Sequence, residues 1–480
     1  MKLKLLAAAC GLALGGQAFA LTPAATDANS TVKIYATGSS AAQRVLITLS
    51  NTDCVANSAD YFQLSTDTGN VFGVSCTLTA TAGGGSTGLG GKNIFFVYNA
   101  AGGSAYGIYS TAKETIPSGG ALNTAQATVL QRPFLANLTS TCDTGATIAG
   151  NPGKTYTCSG TSNQWADIGI TDTEPALHNI DINTPPTLSG QTVTPDENAQ
   201  VDSQAAFQQV FGVAVSQALY NDLQAMQVAL GLIPSGGVPS LSKSAVANYL
   251  SGGFTDPSSG FGWQPLFATS PLGTPSGANG NVLICTRVAG SGTKSGANAY
   301  FLNNPCGGPS SLSPATAAQN SASFTVSESA GTSGVKTCLT NAGTSQYAIG
   351  IIGHDNAAGA NSQFVAIDGV QPSRENARAG LYDWFVESWM QWNTSYITNF
   401  KTIGGGATAS QVINYLANFR TRSGSPDVMA QFAAAQQDGV LAIADGQSKI
   451  FNDPSNANNK KFVARATKLG NSCSPSLWSN

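Results

Sequence analysis

Arg287-Val-Ala-Gly-Ser-Gly-Thr293 brings a guanidinium, two hydroxyls and two glycines into one short stretch. An apolar run, Asn281-Val-Leu-Ile-Cys285, leads into it and reads as a buried strand. Ala297, Ala299, Tyr300, Phe301 and Leu302 follow and read as the start of a helix. A glycine-rich turn from strand into helix leaves backbone N–H groups aimed at one point, where the helix dipole also favours negative charge. Arg287, Ser291, Gly292 and Thr293 surround that point, which makes the stretch a candidate site for a small oxyanion. Lys294-Ser295 hints at a nucleotide P-loop, but that motif needs Gly directly before the Lys and four residues between its glycines. The bland alternative is a surface loop in a chain rich in Gly and Ser.

The same strand, small-residue turn and helix recur along the chain. Thr31 to Ala36 reads as a strand, Thr37-Gly-Ser-Ser40 as the turn and Ala41 to Leu49 as the helix. Ser39 or Ser40 can serve as a helix N-cap, and the recurrence makes a ligand role attractive. Lys92 to Tyr98 is a second strand, running into Asn99-Ala-Ala-Gly-Gly-Ser104. Gln164 to Ile170 is a third, ending in Thr171-Asp-Thr-Glu-Pro175. Phe207 to Val215 reads as a crossing strand, and Leu219 to Leu232 extends it or forms a helix. Ser242 to Leu250 is helical, followed by Gly252-Gly-Phe-Thr-Asp256 and Trp263. Tyr347 to Ile352 and Phe364 to Asp368 are strands. Arg378 to Trp392, Ala409 to Phe419 and Asp427 to Ala435 carry helical spacing, with Trp384, Phe385, Trp389 and Trp392 expected in a core. Stretches 50–91, 110–163 and 303–346 read as loop-rich insertions, and 179–203 as a connector. Strands alternating with helices imply an α/β fold. Ligands in open α/β sheets bind beyond the carboxyl ends of strands, and loops 37–40, 101–104, 171–174 and 290–293 can converge there.

Composition narrows the function classes. The chain has 480 residues, only 10% of them charged, and a net charge of −3 with no basic run, which argues against a nucleic-acid partner. Lys2 and Lys4, an apolar core from Leu5 to Leu14, and Ala18-Phe-Ala20 read as an export signal cleaved after Ala20. Cys10 raises a lipoprotein signal as the lesser alternative. The destination is therefore periplasmic or secreted. Of nine cysteines, eight remain beyond Cys10, an even number suited to an oxidising compartment. Cys54 with Cys76 and Cys142 with Cys158 could close local loops, while Cys285, Cys306, Cys338 and Cys473 stay open in their pairing. There is no C-x-x-C, and His178 and His354 are the only histidines, so no metal site and no cofactor are expected.

In their order, these stretches resemble the phosphate-binding proteins of bacterial ABC phosphate importers, within the type 2 periplasmic-binding superfamily. The matching segments are Thr37-Gly-Ser-Ser-Ala41, Tyr98-Asn-Ala-Ala-Gly-Gly-Ser104, Ala166 to Pro175, Leu241 to Trp263, Arg287 to Thr293, Ala348-Ile-Gly350 and Val365 to Pro372. The resemblance implies a two-lobed α/β fold with hinge crossovers and disulfide-bearing insertions. It divides the mature chain into a first lobe over 21–212, a second over 213–352, and a return to the first over 353–480. It implies that Arg287, Ser291, Gly292 and Thr293 are the second-lobe anion contacts, that Ser40, beside Ser39, is the first-lobe hydroxyl, and that Asp172 is the carboxylate acceptor. The family's hydroxyl in the second loop falls at Gly103 here, with Ser104 one place on. Ala41 replaces the aromatic after the first-loop hydroxyl, and Ala289 replaces the acid two places after the arginine. An ionised carboxylate only accepts hydrogen bonds, so Asp172 would admit hydrogen phosphate and reject fully deprotonated sulfate.

The leading expectation is a monomeric solute-binding protein that closes two lobes on phosphate or a similar oxyanion, with an ABC importer as a possible partner. The alternative class is an extracellular structural or adhesive protein that keeps the fold without tight binding. An enzyme is disfavoured, because neither histidine lies in a recognisable triad motif. Two arrangements could serve catalysis: His354-Asp355, adjacent in sequence, which more often means a polar turn, and Asp172 with Glu174 as a carboxylate pair.

Overall fold

The computed structural model describes residues 21–67, 69–112, 130–148, 151–188, 201–255 and 262–478. The leader read over residues 1–20, parts of the 110–163 and 179–203 stretches, and Asp256 lie outside the described residues.

Two sheets share one long strand. The first begins with β1 (Val32–Gly38), β2 (Asp60–Leu64), β3 (Val71–Thr77) and β4 (Asn93–Asn99). The Ile-Phe-Phe-Val-Tyr run of β4 is buried throughout, as befits a strand covered on both faces. After β5 (Arg132–Leu135), β6 (Ala146–Ile148), β7 (Asn151–Cys158) and β8 (Thr161–Gln164) comes β9 (Ile168–Thr171). β1 runs parallel to both β4 and β9, so all three strands end at the same edge. The helix Gln43–Thr52 follows β1 and the helix Ser104–Ala112 follows β4. The second helix sits directly on the sheet because glycines leave room for it. A Cβ on Gly38 would meet the Gly107 Cα at 3.1 Å, and one on Gly169 would meet the Gly107 carbonyl oxygen at 1.8 Å.

β10 (Val201–Ser216) is the shared strand. Its first half pairs antiparallel with the strand Phe385–Asn393, while Phe211–Val215 pairs with the strand Ala348–Gly353 of the second sheet. The crossing role expected for 207–215 holds over a longer strand. Beyond it come the helix Gln217–Ala229, the two-residue strand β11, the helix Lys243–Leu250 capped by Ser242, and then β12 to β15. These strands are β11 (Ser240–Leu241), β12 (Val282–Arg287), β13 (Phe324–Ser329), β14 (Ala348–Gly353) and β15 (Ser362–Ile367). β12 lies parallel between β13 and β14, and Arg287 is its last residue. Each lobe has its own apolar core. Ile34, Phe96, Trp392 and Phe419 belong to the first, and Val213, Trp263, Ile284 and Trp384 to the second.

Several local expectations give way to tertiary structure. The helical spacing read over Arg378 to Trp392 is instead a short helix, Arg374–Arg378, followed by β16 (Phe385–Asn393). β16 is flanked by β10 and β9 and buried on both faces, so its apolar residues show no strict alternation and mimic a helical repeat. Trp384, Phe385 and Trp392 are buried as expected, and Trp389 is partly so. Stretch 303–346 is loop-rich only in its first half; it then supplies β13 and the helix Thr332–Ala342. The 50–91 and 110–163 stretches extend the first sheet in the order β4-β3-β2-β7-β6. Gln164 to Ile170 splits between β8, which pairs with β5, and β9. Asp427 to Ala435 divides into Pro426–Met429 and Ala434–Gln437. β15 still pairs with the second half of β10, so the chain stays with the second sheet beyond 353.

Four disulfides use all eight described cysteines. Cys54–Cys76 and Cys142–Cys158 close the two local loops, and Cys285–Cys338 joins β12 to the helix beside it. Cys306–Cys473 ties the C-terminal tail to the second lobe. Among the described residues no helix is long and apolar enough to cross a membrane.

Candidate functional site

The carboxyl ends of β1, β4, β9 and β12 meet, and the four loops that leave them touch. The Ser39 amide donates to the Ile170 carbonyl at 2.8 Å, and the Tyr98 hydroxyl donates to the Ser39 carbonyl at 2.6 Å. The Asp172 amide donates to Ser104 Oγ at 3.0 Å. The Ala105 amide reaches across to the Gly290 carbonyl at 2.9 Å, joining the first lobe to the second. Gly103 sits at φ +80, and a Cβ there would come within 2.8 Å of that same carbonyl oxygen. Glycine is what lets the 101–104 loop lie against the 290–293 loop.

Asp172 is the centre of this cluster, with only 1% of its surface exposed. The Ser39 hydroxyl donates to Oδ1, and the Thr293 hydroxyl donates to Oδ2 at 3.3 Å. The Thr293 backbone N–H also favours the ionised carboxylate. Asp172 thus stands at the N-terminus of the helix Gly292–Leu302, where a negative charge meets unpaired amides and the positive end of the helix dipole. Burial pushes its carboxyl pKa up, while Ser39, the nearby Arg287 charge and Thr293 pull it back.

Arg287 is also buried, at 3% exposure. Its Nε donates to the Ser329 carbonyl at 3.2 Å and its Nη2 to the Ala330 carbonyl at 2.8 Å. These two bonds fix the fork and supply orientation that Ala289 cannot. Desolvation brings the guanidinium down to about 10, and the Asp172 charge opposes that shift. Arg287 and Asp172 form no direct ion pair among the described residues; they act on each other through the low-dielectric interior. A chamber of only about 20 Å³ lies beside Arg287 and Thr293, which is the scale of one water.

The remaining expected residues divide by role. Ser291 is the N-cap of its helix, its Oγ accepting from the Lys294 amide at 3.4 Å. Ser39 Oγ similarly accepts from the Ala42 amide at 2.9 Å while donating to Asp172. The Ser40 hydroxyl is buried without a hydrogen-bond partner among the described residues. Gly292 packs so tightly that a Cβ would meet Ser104 Oγ at 2.4 Å and Asp172 Cβ at 2.6 Å. Lys294 is committed elsewhere, to Glu328 at 2.7 Å.

Glu174 does not join Asp172. Its two oxygens accept from the amide and hydroxyl of Ser472 in the C-terminal tail, at 2.8 and 2.6 Å. His354 lies against Phe364, and its amide donates to the Val210 carbonyl at 2.8 Å.

A second interlobe network was not legible in the sequence. Thr173 and Ser295 lie 3.1 Å apart, and each has its hydroxyl 3.3 Å from His178 Nε2. His178 Nδ1 faces the Asn183 carbonyl at 3.3 Å, and Asn298 donates to Asn183 Oδ1 at 3.0 Å. Burial lowers the His178 pKa to about 4, so the ring is neutral at physiological pH.

No family model matches the chain, and no curated protein matches it. Solved structures do. A putative phosphate ABC transporter substrate-binding protein with bound phosphate from Clostridium perfringens is 12% identical, with a TM-score of 0.42 over 85% of this chain and 98% of that one. An ABC-type phosphate transport receptor from Vibrio cholerae is 11% identical, with a TM-score of 0.38 over 84% and 98%. A phosphate binding protein from Stenotrophomonas maltophilia is 12% identical, with a TM-score of 0.38 over 91% of each chain.

Proposed function

We propose that this protein is a periplasmic or secreted solute-binding protein that captures phosphate or a similar oxyanion between its lobes. The observation that carries this reading is the buried arginine, Arg287, whose charge acts on the buried Asp172 where loops of both lobes meet. We take the lobes as 21–212 with 353–480, and 213–352, adjusted so that β15 belongs to the second.

In this reading the lobes separate to admit the anion and close around it. Arg287, the amides of Gly292 and Thr293, and the Ser39, Ser40, Ser104 and Thr293 hydroxyls supply donors. Asp172 accepts a hydrogen bond from the P–OH group that hydrogen phosphate carries and sulfate lacks. Closure excludes water, which strengthens each charged contact. Gly103 contributes closeness of approach instead of a hydroxyl. The protein would act as a monomer without cofactor or catalysis, delivering its ligand to an ABC importer.

The direct test is calorimetric titration of the mature, phosphate-stripped protein with phosphate and then sulfate. Phosphate heat with sulfate silent supports the reading. No heat from either anion, with no thermal shift, removes it.

The second reading is a structural or adhesive protein that keeps this fold. A specific observation favours it: Asp172 and the groups around it already satisfy one another across the lobes. Silence towards both anions is its expected signature.

A further inference from the structure

The helix Gly292–Leu302 and the loop after β9 meet residue by residue. Asp172 accepts from Thr293, the Thr173 hydroxyl lies 3.1 Å from that of Ser295, and Glu174 accepts from Ser472 of the C-terminal tail. The next tail residue, Cys473, is bonded to Cys306, four residues beyond the end of that same helix. Consecutive tail residues therefore hold the two partners, Ser472 the first-lobe loop and Cys473 the second-lobe helix. The helix is tied to segment 172–174 by hydrogen bonds at its start and, through the tail, by a covalent bond beyond its end.

The first lobe grips this tail firmly. The Thr467 hydroxyl and the Lys468 amide donate to Glu387 Oε1 at 2.6 and 3.0 Å, and the Gly470 amide donates to Oε2. Glu387 sits on β16 with 3% of its surface exposed. Pulling the tail away would leave a buried carboxylate without those donors, which is costly. Hydrogen bonds between the lobes can be exchanged for bonds to water as the lobes part, but the S–S bond cannot. Cys306–Cys473 is also the bridge most open to attack. Cys473 is exposed and Cys306 half-buried, whereas each of the other three disulfides among the described residues has at least one buried cysteine. A thiolate must reach a sulfur to exchange with it, so access selects this bridge.

We propose that Cys306–Cys473 is a reducible strap that limits how far the lobes part, and that a dithiol reductant of the same compartment releases it. One reductant thiolate attacks Cys473 Sγ, and Cys306 leaves as a thiolate and takes a proton. The second reductant thiolate then displaces Cys473, which is protonated in turn. The protein gains two electrons and two protons, and the reductant dithiol becomes a disulfide. The oxidised form releases its anion slowly; the reduced form opens wider and exchanges it faster. That effect on the anion rests on the oxyanion reading above, whereas the strap itself needs only lobes that move.

The test uses the mature, phosphate-stripped protein before and after mild dithiothreitol, beside a Cys306→Ser, Cys473→Ser variant that needs no reductant. Alkylation and peptide mass spectrometry should find Cys306 and Cys473 reduced before the cysteines of the other three disulfides. At a temperature where circular dichroism shows every form folded, small-angle X-ray scattering should give both opened forms a larger radius of gyration than the oxidised protein. Phosphate release followed by stopped flow should be roughly ten-fold faster in both. Another bridge reduced first, or an unchanged radius in both opened forms, overturns the strap. Phosphate bound and released at one rate in all forms overturns its control of exchange and leaves the oxyanion site standing. A larger radius with no phosphate binding in any form keeps the strap and removes the oxyanion reading.

Discussion

Thr293 donates its hydroxyl to Asp172 across 3.3 Å, and the two residues lie 121 positions apart in different lobes. The contact places a carboxylate from the first lobe on the N-terminus of a second-lobe helix. In the proposed reading, an anion entering here must share those donors with Asp172, so selectivity and lobe closure are one problem at this site.

Arg287→Ala removes the buried guanidinium whose charge acts on that carboxylate. Phosphate affinity should fall by roughly 100-fold or more, read by calorimetry. Arg287→Lys should recover only part of it, because an ammonium cannot bond the Ser329 and Ala330 carbonyls and also present a planar fork. Unchanged affinity in the alanine variant would sink the assignment.

Asp172→Asn keeps the shape and removes the charge. The amide can still accept from one hydroxyl, but it also brings donors of its own. Sulfate binding should appear and approach phosphate binding in strength. A variant that still ignores sulfate would show that selectivity lies elsewhere.

Gly292→Ala drives a methyl into Ser104 and Asp172. The lobes must part slightly to accept it. We expect a loss of about 1–3 kcal/mol in denaturant unfolding together with weaker anion binding. A fully stable variant with unchanged affinity would mean that the contact relaxes freely.

His178 ties stability to pH. Its folded pKa of about 4 lies below the unfolded value of 6.5. Between these values the unfolded chain binds more protons, so stability rises with pH. The contribution is complete above pH 6.5 and is lost as pH falls towards 4, on the order of 3 kcal/mol in all. Melting temperature measured across this window should show the slope, and His178→Gln should flatten it.

Cys306–Cys473 anchors the tail that carries Ser472 to Glu174. Replacing both cysteines by serine should cost about 2–4 kcal/mol and expose the tail to limited proteolysis. Equal melting temperatures for parent and variant would show that packing alone holds the tail.

The sequence by itself determined the strand, turn and helix units, because small residues between an apolar run and a helix start are local signals. β1, β4, β9 and β12 all end within two residues of where those turns predict. It also determined the crossing strand and the two local disulfides, whose cysteines are near neighbours in the chain. Tertiary structure decided the rest. β16 reads as a helix until β10 and β9 enclose it, because a strand buried on both faces loses its alternation. Asp172 and Glu174 look like a pair until the fold turns one towards Thr293 and the other towards Ser472. The pairing of Cys285 with Cys338 and the polar network around His178 depend on elements far apart in sequence. Such contacts are set by how whole elements pack, and no local pattern encodes that.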